Sequence, residues 1–331
     1  MNLAILGAGA WGTALAINLS ARHQVTLWTK EAGHLSELMT NRANLSFFPD
    51  FPLSDAIYLT ASLAEALENT DLVLIVVPVA GFGDILRSIA KINVKAPVIW
   101  GCKGFEPKAA KLPHQVVADV FSDNELTCGV ISGPSFAEEV ARGLPTALTL
   151  ASENDDFSRE MANQLHSKNL RIYTSRDMIG VETGGAIKNV ITIAAGISDG
   201  MGYGHNARAA LITRGLMEIT RLGLALGGKM ETFMGLAGVG DLLLTCTGDL
   251  SRNRRVGLLL AAGKSIGDIL NELGHVAEGV HTAQAVLQLS RKLNVNMPIT
   301  EAVCSILHDG MPARAAVETL LNREPKTEIC L

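Results

Sequence analysis

The sequence has few cysteines, and their number and spacing exclude a disulfide framework. Its five cysteines are an odd number, and no Cys-x-x-Cys pair occurs. Such usage is typical of reduced thiols in a cytosolic protein. The eight histidines show no His-x-x-x-His spacing, so we expect no metal site.

An excess of positive charge is also absent. The chain carries 28 basic and 33 acidic residues, for a net charge of −5. The phosphate backbone of nucleic acids attracts basic surfaces, so we expect no nucleic-acid partner. Hydrophobic residues make up 48% of the chain and charged residues 18%, which is the composition of a folded globular protein. At about 150 residues per domain, the length predicts about two domains.

The only long uncharged apolar stretch is at the N-terminus, over residues 1–21. A signal peptide has a positively charged segment at its start, and no basic residue precedes Arg22. The three glycines in this stretch suit a tight turn better than a lipid-facing helix, and no other such run reaches about 18 residues. We therefore expect no stable membrane insertion and a cytoplasmic protein.

The first half of the chain alternates apolar, β-branched runs with a helical pattern at Thr13–Ser20. Continuous apolar runs at this spacing are typical of parallel strands that are buried on both faces. We therefore predict an α/β fold, with a doubly wound Rossmann-type domain over residues 1–178. The predicted strands are Asn2–Leu6, Val25–Trp28, Leu72–Val77, Val98–Trp100 and Gly129–Ser132, with Ala147–Ala151 and Leu170–Thr174 as edge strands.

The second half loses these strand-like runs, and we predict an all-helical domain over residues 179–331. Ile187, Val190, Ile191 and Ala194 recur at the spacing of one helical face. Glycine, asparagine or proline residues separate the predicted helices. These helices are Gly180–Ile197, Ala207–Leu226, Arg254–Ala262, Thr282–Leu293, Ile299–His308 and Arg314–Leu321.

A glycine-rich motif, Gly7-Ala8-Gly9-Ala10-Trp11-Gly12, follows the first strand and opens the first helix. In this context Gly7 permits a tight turn, Gly9 lets a pyrophosphate approach the backbone, and Gly12 lets the helix pack on the strand. The helix N-terminus then offers free N–H groups to the phosphates. The motif predicts a dinucleotide site, the alternative being a glycine turn with no ligand.

The residue at the end of the second strand bears on which dinucleotide binds. An NAD site usually has an acidic residue there, which binds the ribose 2′-OH. This sequence has Lys30, although Glu31 follows. A cation at this place suits a 2′-phosphate, so we predict NADPH as the preferred cofactor, with NADH also accepted. The alternative is a solvated loop lysine.

Lys188 lies in an otherwise apolar helical segment, which is costly for an ammonium group. Partial burial near other cations lowers the pKa of a lysine and suits it to proton transfer near neutrality. The alternative is a lysine whose ammonium reaches solvent at a helix edge.

Asp241 follows a run of glycines and precedes three leucines. Its carboxylate either caps a helix or orients the lysine or a substrate hydroxyl.

Three further groups deserve a prediction. Ser251-Arg252-Asn253 begins a helix, where a serine N-cap, free N–H groups and a guanidinium together suit an anion; the alternative is a solvated basic helix start. Lys103 follows the strand that ends at Trp100, which is a favourable place for a ligand contact in a doubly wound sheet; the alternative is an ordinary loop lysine. Cys246 has no partner base in the sequence, so we interpret it as a buried hydrophobic residue.

These motifs, in this order, resemble the bacterial NAD(P)-dependent glycerol-3-phosphate dehydrogenases nearly from end to end. That family reversibly reduces dihydroxyacetone phosphate to sn-glycerol 3-phosphate, a precursor of glycerophospholipids. The matching blocks are Gly7–Gly12, Lys103–Gly104, Ile131–Ala137, Gly184–Val190, Asn206–Gly215, Met234–Cys246, Ser251–Arg255 and Met297–Thr300. Ala10 and Trp11 depart slightly from the family, which more often has serine followed by tyrosine or phenylalanine.

The resemblance implies a role for each matching residue. Lys188 would be the general acid and base, and Lys103 would lie between cofactor and substrate. The implied substrate-binding residues are Lys103, Gly133, Ser135, Lys188, Asp241, Ser251, Arg252 and Asn253. The implied cofactor-binding residues are Gly7, Gly9, Ala10, Trp11, Gly12, Lys30, Lys103, Ala137, Arg252, Val276 and Glu278.

Two other functions remain open from the residues alone. One is a related dehydrogenase with a Rossmann domain and helices, acting on 6-phosphogluconate or a 3-hydroxyacyl-CoA. The other is a redox sensor that binds nucleotide without turnover, which would need neither Lys188 nor Asp241. The oligomeric state, a homodimer or otherwise, also stays open.

Overall fold

The structure is a computed structural model that describes residues 1–121, 126–274, 277–324 and 327–328. The chain divides into two compact units. The first comprises Met1–Cys102 with Pro113–Met178, and the second comprises Lys103–Leu112 with Ile179–Leu331. The sequence division at residue 178 had left 103–112 in the first domain. This segment groups with the second unit because Phe105 and Leu112 are buried in its apolar core.

The first unit alternates strands and helices, as its apolar runs predict. Its strands are β1 (Asn2–Leu6), β2 (Gln24–Trp28), β3 (Ala43–Asn44), β4 (Phe48–Pro52), β5 (Ile57–Thr60), β6 (Leu72–Ile75), β7 (Val98–Trp100), β8 (Cys128–Ser132), β9 (Thr146–Ala151) and β10 (Leu170–Ser175). Its helices are α1 (Ala10–Leu19), α2 (Ala32–Asn41), α3 (Leu63–Ala66), α4 (Val79–Ile92), α5 (Pro113–Val120), α6 (Ala137–Ala141) and α7 (Asp155–Leu165).

Eight of these strands form one sheet in the order β10-β9-β8-β7-β6-β1-β2-β5. The chain runs from β1 outward through β2 to β5, and then starts again on the other side of β1 with β6. This order is that of a doubly wound Rossmann-type sheet, whose ligand crevice lies where the order reverses, at the carboxyl ends of β1 and β6.

Four details of the β-structure differ from the sequence prediction. β8 and β9 pair antiparallel, whereas the other neighbours are parallel. β9 was expected at an edge, but β10 pairs with its outer side and is itself the edge strand. The opposite edge strand, β5, was not predicted, and neither was the separate hairpin of β3 and β4.

The second unit is helical throughout the part that the structure describes. Its elements are α8 (Met178–Gly200), α9 (Gly204–Ala225), α10 (Met230–Phe233), a π-helical turn (Leu236–Gly240), α11 (Asp241–Thr247), α12 (Arg252–Ala261), α13 (Ile266–Leu273), α14 (Glu278–Lys292), α15 (Pro298–His308) and α16 (Ala313–Leu321). No strand occurs among the described residues after Ser175, which confirms the predicted change of fold type.

Helix α8 is the centre of this unit. Every residue from 180 to 198 is buried, so the helix has no solvent-facing side. The sequence interpretation of one apolar face was therefore too narrow, because a helix that is surrounded by other helices needs small or apolar residues all round. Any charged side chain on α8 must find its partner inside the protein.

Within the described residues, no single helix is long and apolar enough to cross a bilayer. One bent pair, Met230–Thr247 with Arg252–Ala261, meets that test by length and composition alone.

Candidate functional site

The glycine turn lies at the carboxyl end of β1, where the sheet order reverses. Gly7 has a φ of 119°, which favours glycine, and a Cβ atom there would lie 2.9 Å from the Val76 carbonyl oxygen. A Cβ atom at Gly12 would lie 1.8 Å from the Gly7 carbonyl oxygen. The folded backbone therefore requires both glycines.

Gly9 is different, because a Cβ atom there would have no atom within 4 Å. The protein itself does not need glycine at this position, whereas a pyrophosphate that approaches the backbone does. Gly9 is also the N-cap of α1 and provides no side chain to cap the helix. The open backbone and the uncapped helix start together fit a dinucleotide.

The other predicted cofactor residues of the first unit lie near this turn or at the end of β2. Ala10 and Trp11 on α1 pack with Ala137, the first residue of α6, around the same small apolar cluster. Lys30 is exposed two residues beyond the end of β2. A cation in this place remains available for a 2′-phosphate.

Gly133 and Ser135 follow β8 and form a local turn. Gly133 has a φ of 144°, and a Cβ atom there would lie 3.1 Å from the Ala147 carbonyl oxygen. The Ser135 hydroxyl donates to the Gly133 carbonyl oxygen at 3.0 Å. The backbone therefore requires Gly133, while the predicted substrate contacts of both residues stay predictions.

In the second unit, Lys188 on α8 is buried, with 6% of its surface exposed. Its Nζ donates to Asp241 Oδ1 at 2.6 Å and to Thr245 Oγ1 at 2.8 Å. Burial lowers the pKa of Lys188 to about 8; the Asp241 carboxylate opposes this shift, and the Lys103 ammonium adds to it. The lysine therefore does not reach solvent at a helix edge, and both of its protonation states are accessible near neutrality.

Asp241 joins the two lysines. Its Oδ2 accepts from Lys103 Nζ at 2.6 Å, while Oδ1 accepts from Lys188. Burial opposes ionisation, but the two ammonium groups more than offset it and hold the pKa of Asp241 below its usual value. The N-cap of α11 is Gly240, without a side-chain capping bond. Asp241 is therefore not the N-cap of α11, and its carboxylate is hydrogen-bonded to both lysines.

The backbone brings this pair together through a close approach of α8 and the π-helical turn. A Cβ atom at Gly184 would lie 2.5 Å from the Ala237 carbonyl oxygen. Gly184 lies four residues before Lys188, and Ala237 lies four residues before Asp241. Because residues four apart share a helical face, contact at the two earlier positions places the lysine and the carboxylate opposite each other.

The Ser251 segment begins α12, as predicted. The Ser251 hydroxyl accepts from the Arg254 backbone N–H at 3.2 Å, which is an N-cap. Arg254 pairs with Asp199 at 2.8 Å and Arg255 with Glu272 at 3.3 Å. Arg252 is exposed beside them, so its guanidinium can meet an anion from outside the chain.

Asn253 ties this helix start to α8 and α14. Its Nδ2 donates to Asn189 Oδ1 at 3.0 Å, and its Oδ1 accepts from the Gly279 backbone N–H at 3.1 Å. Glu278 begins α14 beside this contact, and its charge acts on Arg252. The predicted residue Val276 lies outside the described residues.

Sequence reasoning missed two residues of this site. Thr245 contacts the Lys188 ammonium and also donates to the Asp241 carbonyl oxygen at 2.6 Å. Its position four residues after Asp241 on one helix was the available signal. Asn189 holds Asn253, and its polar side chain in the otherwise apolar segment around Lys188 was the available signal. Cys246 was interpreted correctly, because it is fully buried and burial raises the pKa of its thiol to about 11.

An open glycine turn on a doubly wound sheet, followed by a helical unit with a buried lysine–carboxylate pair, defines a Rossmann-type dehydrogenase. Two family models match the chain, the NAD-dependent glycerol-3-phosphate dehydrogenase N-terminus over residues 2–158 and the C-terminus over residues 177–318. The chain belongs to the NAD-dependent glycerol-3-phosphate dehydrogenase family.

Individual relatives agree with this assignment. Glycerol-3-phosphate dehydrogenase [NAD(P)+] of Nitrosospira multiformis is 64% identical, over 99% of this chain and 100% of the relative. The protein of the same name from Nitrosomonas eutropha is 60% identical, over 99% of both chains. The crystal structure of glycerol-3-phosphate dehydrogenase from Coxiella burnetii superposes with a TM-score of 0.94 at 43% identity, over 97% of this chain and 99% of that one. The resemblance inferred from the ordered motifs is thus confirmed.

Proposed function

We propose that this protein catalyses the reversible NAD(P)H-dependent reduction of dihydroxyacetone phosphate to sn-glycerol 3-phosphate, and so supplies glycerophospholipid synthesis. The family assignment and the names of the relatives support this reaction. The single observation that carries it is the Lys188 ammonium, buried and held between Asp241 and Thr245. A buried lysine with a lowered pKa is suited to exchange a proton with a substrate oxygen.

The first unit holds the cofactor in this proposal. The open backbone at Gly9 and the free helix start at Ala10 would receive the pyrophosphate. Trp11 and Ala137 lie next to this place, and Lys30 would meet a 2′-phosphate, which makes NADPH the preferred cofactor and NADH an accepted one. When bound, the nicotinamide exchanges a hydride with the substrate carbon.

Lys188 moves the proton that balances the hydride. In reduction, its ammonium donates a proton from Nζ to the carbonyl oxygen of the substrate. In oxidation, its neutral amine takes the hydroxyl proton back. Its pKa of about 8 leaves both forms populated near the working pH, which is the condition for efficient acid–base catalysis.

Asp241, Thr245 and Lys103 prepare this step. The carboxylate and the hydroxyl fix the direction of the Lys188 ammonium, which leaves one of its three N–H bonds for the substrate. Lys103 adds a second positive charge at the same carboxylate. Two cations close to the substrate oxygen would stabilise the negative charge that develops there in reduction.

The substrate phosphate needs its own receiver, and the start of α12 offers one. Ser251 caps the helix, Arg252 is exposed, and Asn253 is held by Asn189 and Gly279. Backbone N–H groups and a guanidinium suit a phosphate dianion. The resemblance adds Gly133 and Ser135 as substrate contacts, and Val276 and Glu278 as cofactor contacts.

Initial rates on a substrate panel test the proposal. We expect turnover of dihydroxyacetone phosphate with NADPH, a slower rate with NADH, and no comparable rate with 6-phosphogluconate or a 3-hydroxyacyl-CoA. Faster turnover of either of those compounds would replace the proposed substrate. Stoichiometric nucleotide binding without turnover of any ketose phosphate would instead favour a redox sensor.

A further inference from the structure

Asn44, in the short strand β3, lies beneath the glycine turn and is fully buried. All four hydrogen-bonding positions of its side chain are used. Its Nδ2 donates to the Ala8 carbonyl oxygen at 2.8 Å and to Thr13 Oγ1 at 2.7 Å. Its Oδ1 accepts from the Phe47 backbone N–H at 3.1 Å and bonds to His34 Nε2 at 3.0 Å.

These partners fix the orientation of the amide. A carbonyl oxygen only accepts and a backbone N–H only donates, so Nδ2 must face Ala8 and Oδ1 must face Phe47. His34 Nε2 therefore carries the hydrogen that it donates to Asn44. The other ring nitrogen, Nδ1, lies 3.0 Å from Thr29 Oγ1 and accepts from that hydroxyl when the ring is neutral.

The bond to Ala8 determines which way the glycine turn presents its backbone. In a trans peptide the C=O and the following N–H point in opposite directions, and the structure contains no cis peptide among the described residues. Since the Ala8 carbonyl points toward the buried Asn44, the Gly9 N–H points away from it, toward the outer side of the turn. Gly9 is the position whose Cβ direction is open.

The same hydrogen bonds reach the end of β2. Thr29 directly follows this strand and precedes Lys30. The series from Thr29 through His34 and Asn44 to Ala8 therefore connects two backbone segments, the one before Lys30 and the glycine turn. In a Rossmann-type domain these segments contact the adenosine ribose and the pyrophosphate of one dinucleotide.

We infer that Asn44, held by His34, is a positioning residue for the dinucleotide, because it orients the Ala8–Gly9 peptide so that its N–H faces the pyrophosphate. The inference rests on the proposed function, in which the glycine turn binds NAD(P)H. Asn44 itself touches no ligand. Its loss therefore weakens cofactor binding while the Lys188 chemistry of the other unit is retained.

Two substitutions of Asn44 separate hydrogen bonding from shape. N44L keeps the branched arrangement of heavy atoms, although its methyl groups are larger, and loses every hydrogen bond. N44D keeps the shape and the acceptor but sets an oxygen against the Ala8 carbonyl oxygen. We expect both to raise the KM and the calorimetric Kd for NADPH about 10- to 100-fold, since two donated bonds are lost. The KM for dihydroxyacetone phosphate and kcat should change less than about 2-fold, as fits a role in binding alone.

Other variants provide the controls. S46A alters the same hairpin, but the Ser46 hydroxyl donates to the half-buried Glu37 side chain and not to Asn44 or the glycine turn, so cofactor binding should stay as in the wild type. H34A leaves Asn44 in place without one partner and should raise the KM for NADPH by about 3- to 10-fold, in line with one lost hydrogen bond. Because His34 is only half-buried, H34A keeps the inference testable if an Asn44 variant does not fold.

Three results would overturn the inference. One is a folded N44D with the wild-type Kd for NADPH, since shape alone would then suffice. Another is H34A with unchanged cofactor binding. The third is a fall in kcat together with similar rises in the KM for NADPH and in the KM for dihydroxyacetone phosphate, which indicates general structural damage. If the wild type turns over dihydroxyacetone phosphate, these results refute the inference alone; a wild type that binds no nucleotide would refute the proposed function as well.

Discussion

Replacing Asp241 with asparagine removes one charge from the centre of the Lys103–Asp241–Lys188 cluster and keeps the shape of the side chain. The Lys188 ammonium lies 2.6 Å from the Asp241 carboxylate and loses this counter-charge in D241N, while the neighbouring Lys103 is retained. Two unit charges about 4 Å apart at an effective dielectric constant of about 20 interact by about 4 kcal/mol. This is equivalent to lowering the pKa of Lys188 by about 3.

The expected result follows from the protonation state that each direction needs. Lys188 in the wild type has a pKa of about 8, so at about pH 7.5 roughly three-quarters of it is ammonium. In D241N that fraction falls to about 0.3%, and reduction of dihydroxyacetone phosphate should slow by about 200-fold at this pH. Since reduction needs the acid form, its rate falls as pH rises through the pKa, and oxidation shows the opposite trend.

The assay is the pH profile of kcat in both directions at saturating substrate and cofactor. The alkaline limb of the reduction profile should move to lower pH in D241N by about 2 to 3 pH units. D156N is a matched control, because Asp156 forms an exposed pair with Arg159 and the substitution changes the net charge equally. A D241N profile with its limb at the wild-type pH would refute the assigned coupling.

Three further predictions concern cofactor, substrate and stability. K30E should lower the ratio of kcat/KM for NADPH to kcat/KM for NADH about 10- to 100-fold, whereas the control K91E, at an exposed lysine, should leave this ratio unchanged. An unaltered ratio in K30E would show that Lys30 does not bind the 2′-phosphate. R252A should raise the KM for dihydroxyacetone phosphate about 10- to 100-fold with little change in kcat, whereas R255A should leave this KM unchanged. An unchanged KM in R252A would mean that the phosphate binds elsewhere. Burial raises the pKa of Glu218 from 4.5 to about 7, so the stability that its proton contributes is present below about pH 4.5 and is lost as pH rises from about 4.5 to about 7. Over that pH range the free energy of unfolding of the wild type should fall by up to about 3 kcal/mol, and that of E218Q should not. Denaturation at several pH values measures both proteins, and an identical pH dependence would contradict this prediction.

The strand order around β1 follows from the sequence, because long apolar runs and the glycine motif leave few alternatives for a doubly wound sheet. Strand β5 (Ile57–Thr60) was missed because the exposed Tyr58 interrupts its buried residues, whereas β6 and β7 are buried throughout. The antiparallel pairing of β9 with β8 is a property of the two strands together, and the apolar run of either strand alone does not encode its direction relative to the other.

The candidate site was predictable to the extent that single residues conflict with their surroundings. A lysine in an apolar helix signals burial, and Lys188 is buried. Asp241 fitted a helix cap equally well, and only the approach of α8 to the π-helical turn decides between the two roles. Thr245 and Asn44 are ordinary in their own segments, so their importance comes from partners that the fold supplies.

The most direct test of the central claim is the kcat of K188A for dihydroxyacetone phosphate reduction, measured with and without added methylamine. We expect a decrease of about 100-fold or more, with unchanged NADPH affinity, since the proton donor is lost. Methylammonium, entering the space of the deleted side chain, should restore part of the rate. A K188A enzyme that reduces the substrate at nearly the wild-type rate would contradict the role given to this lysine.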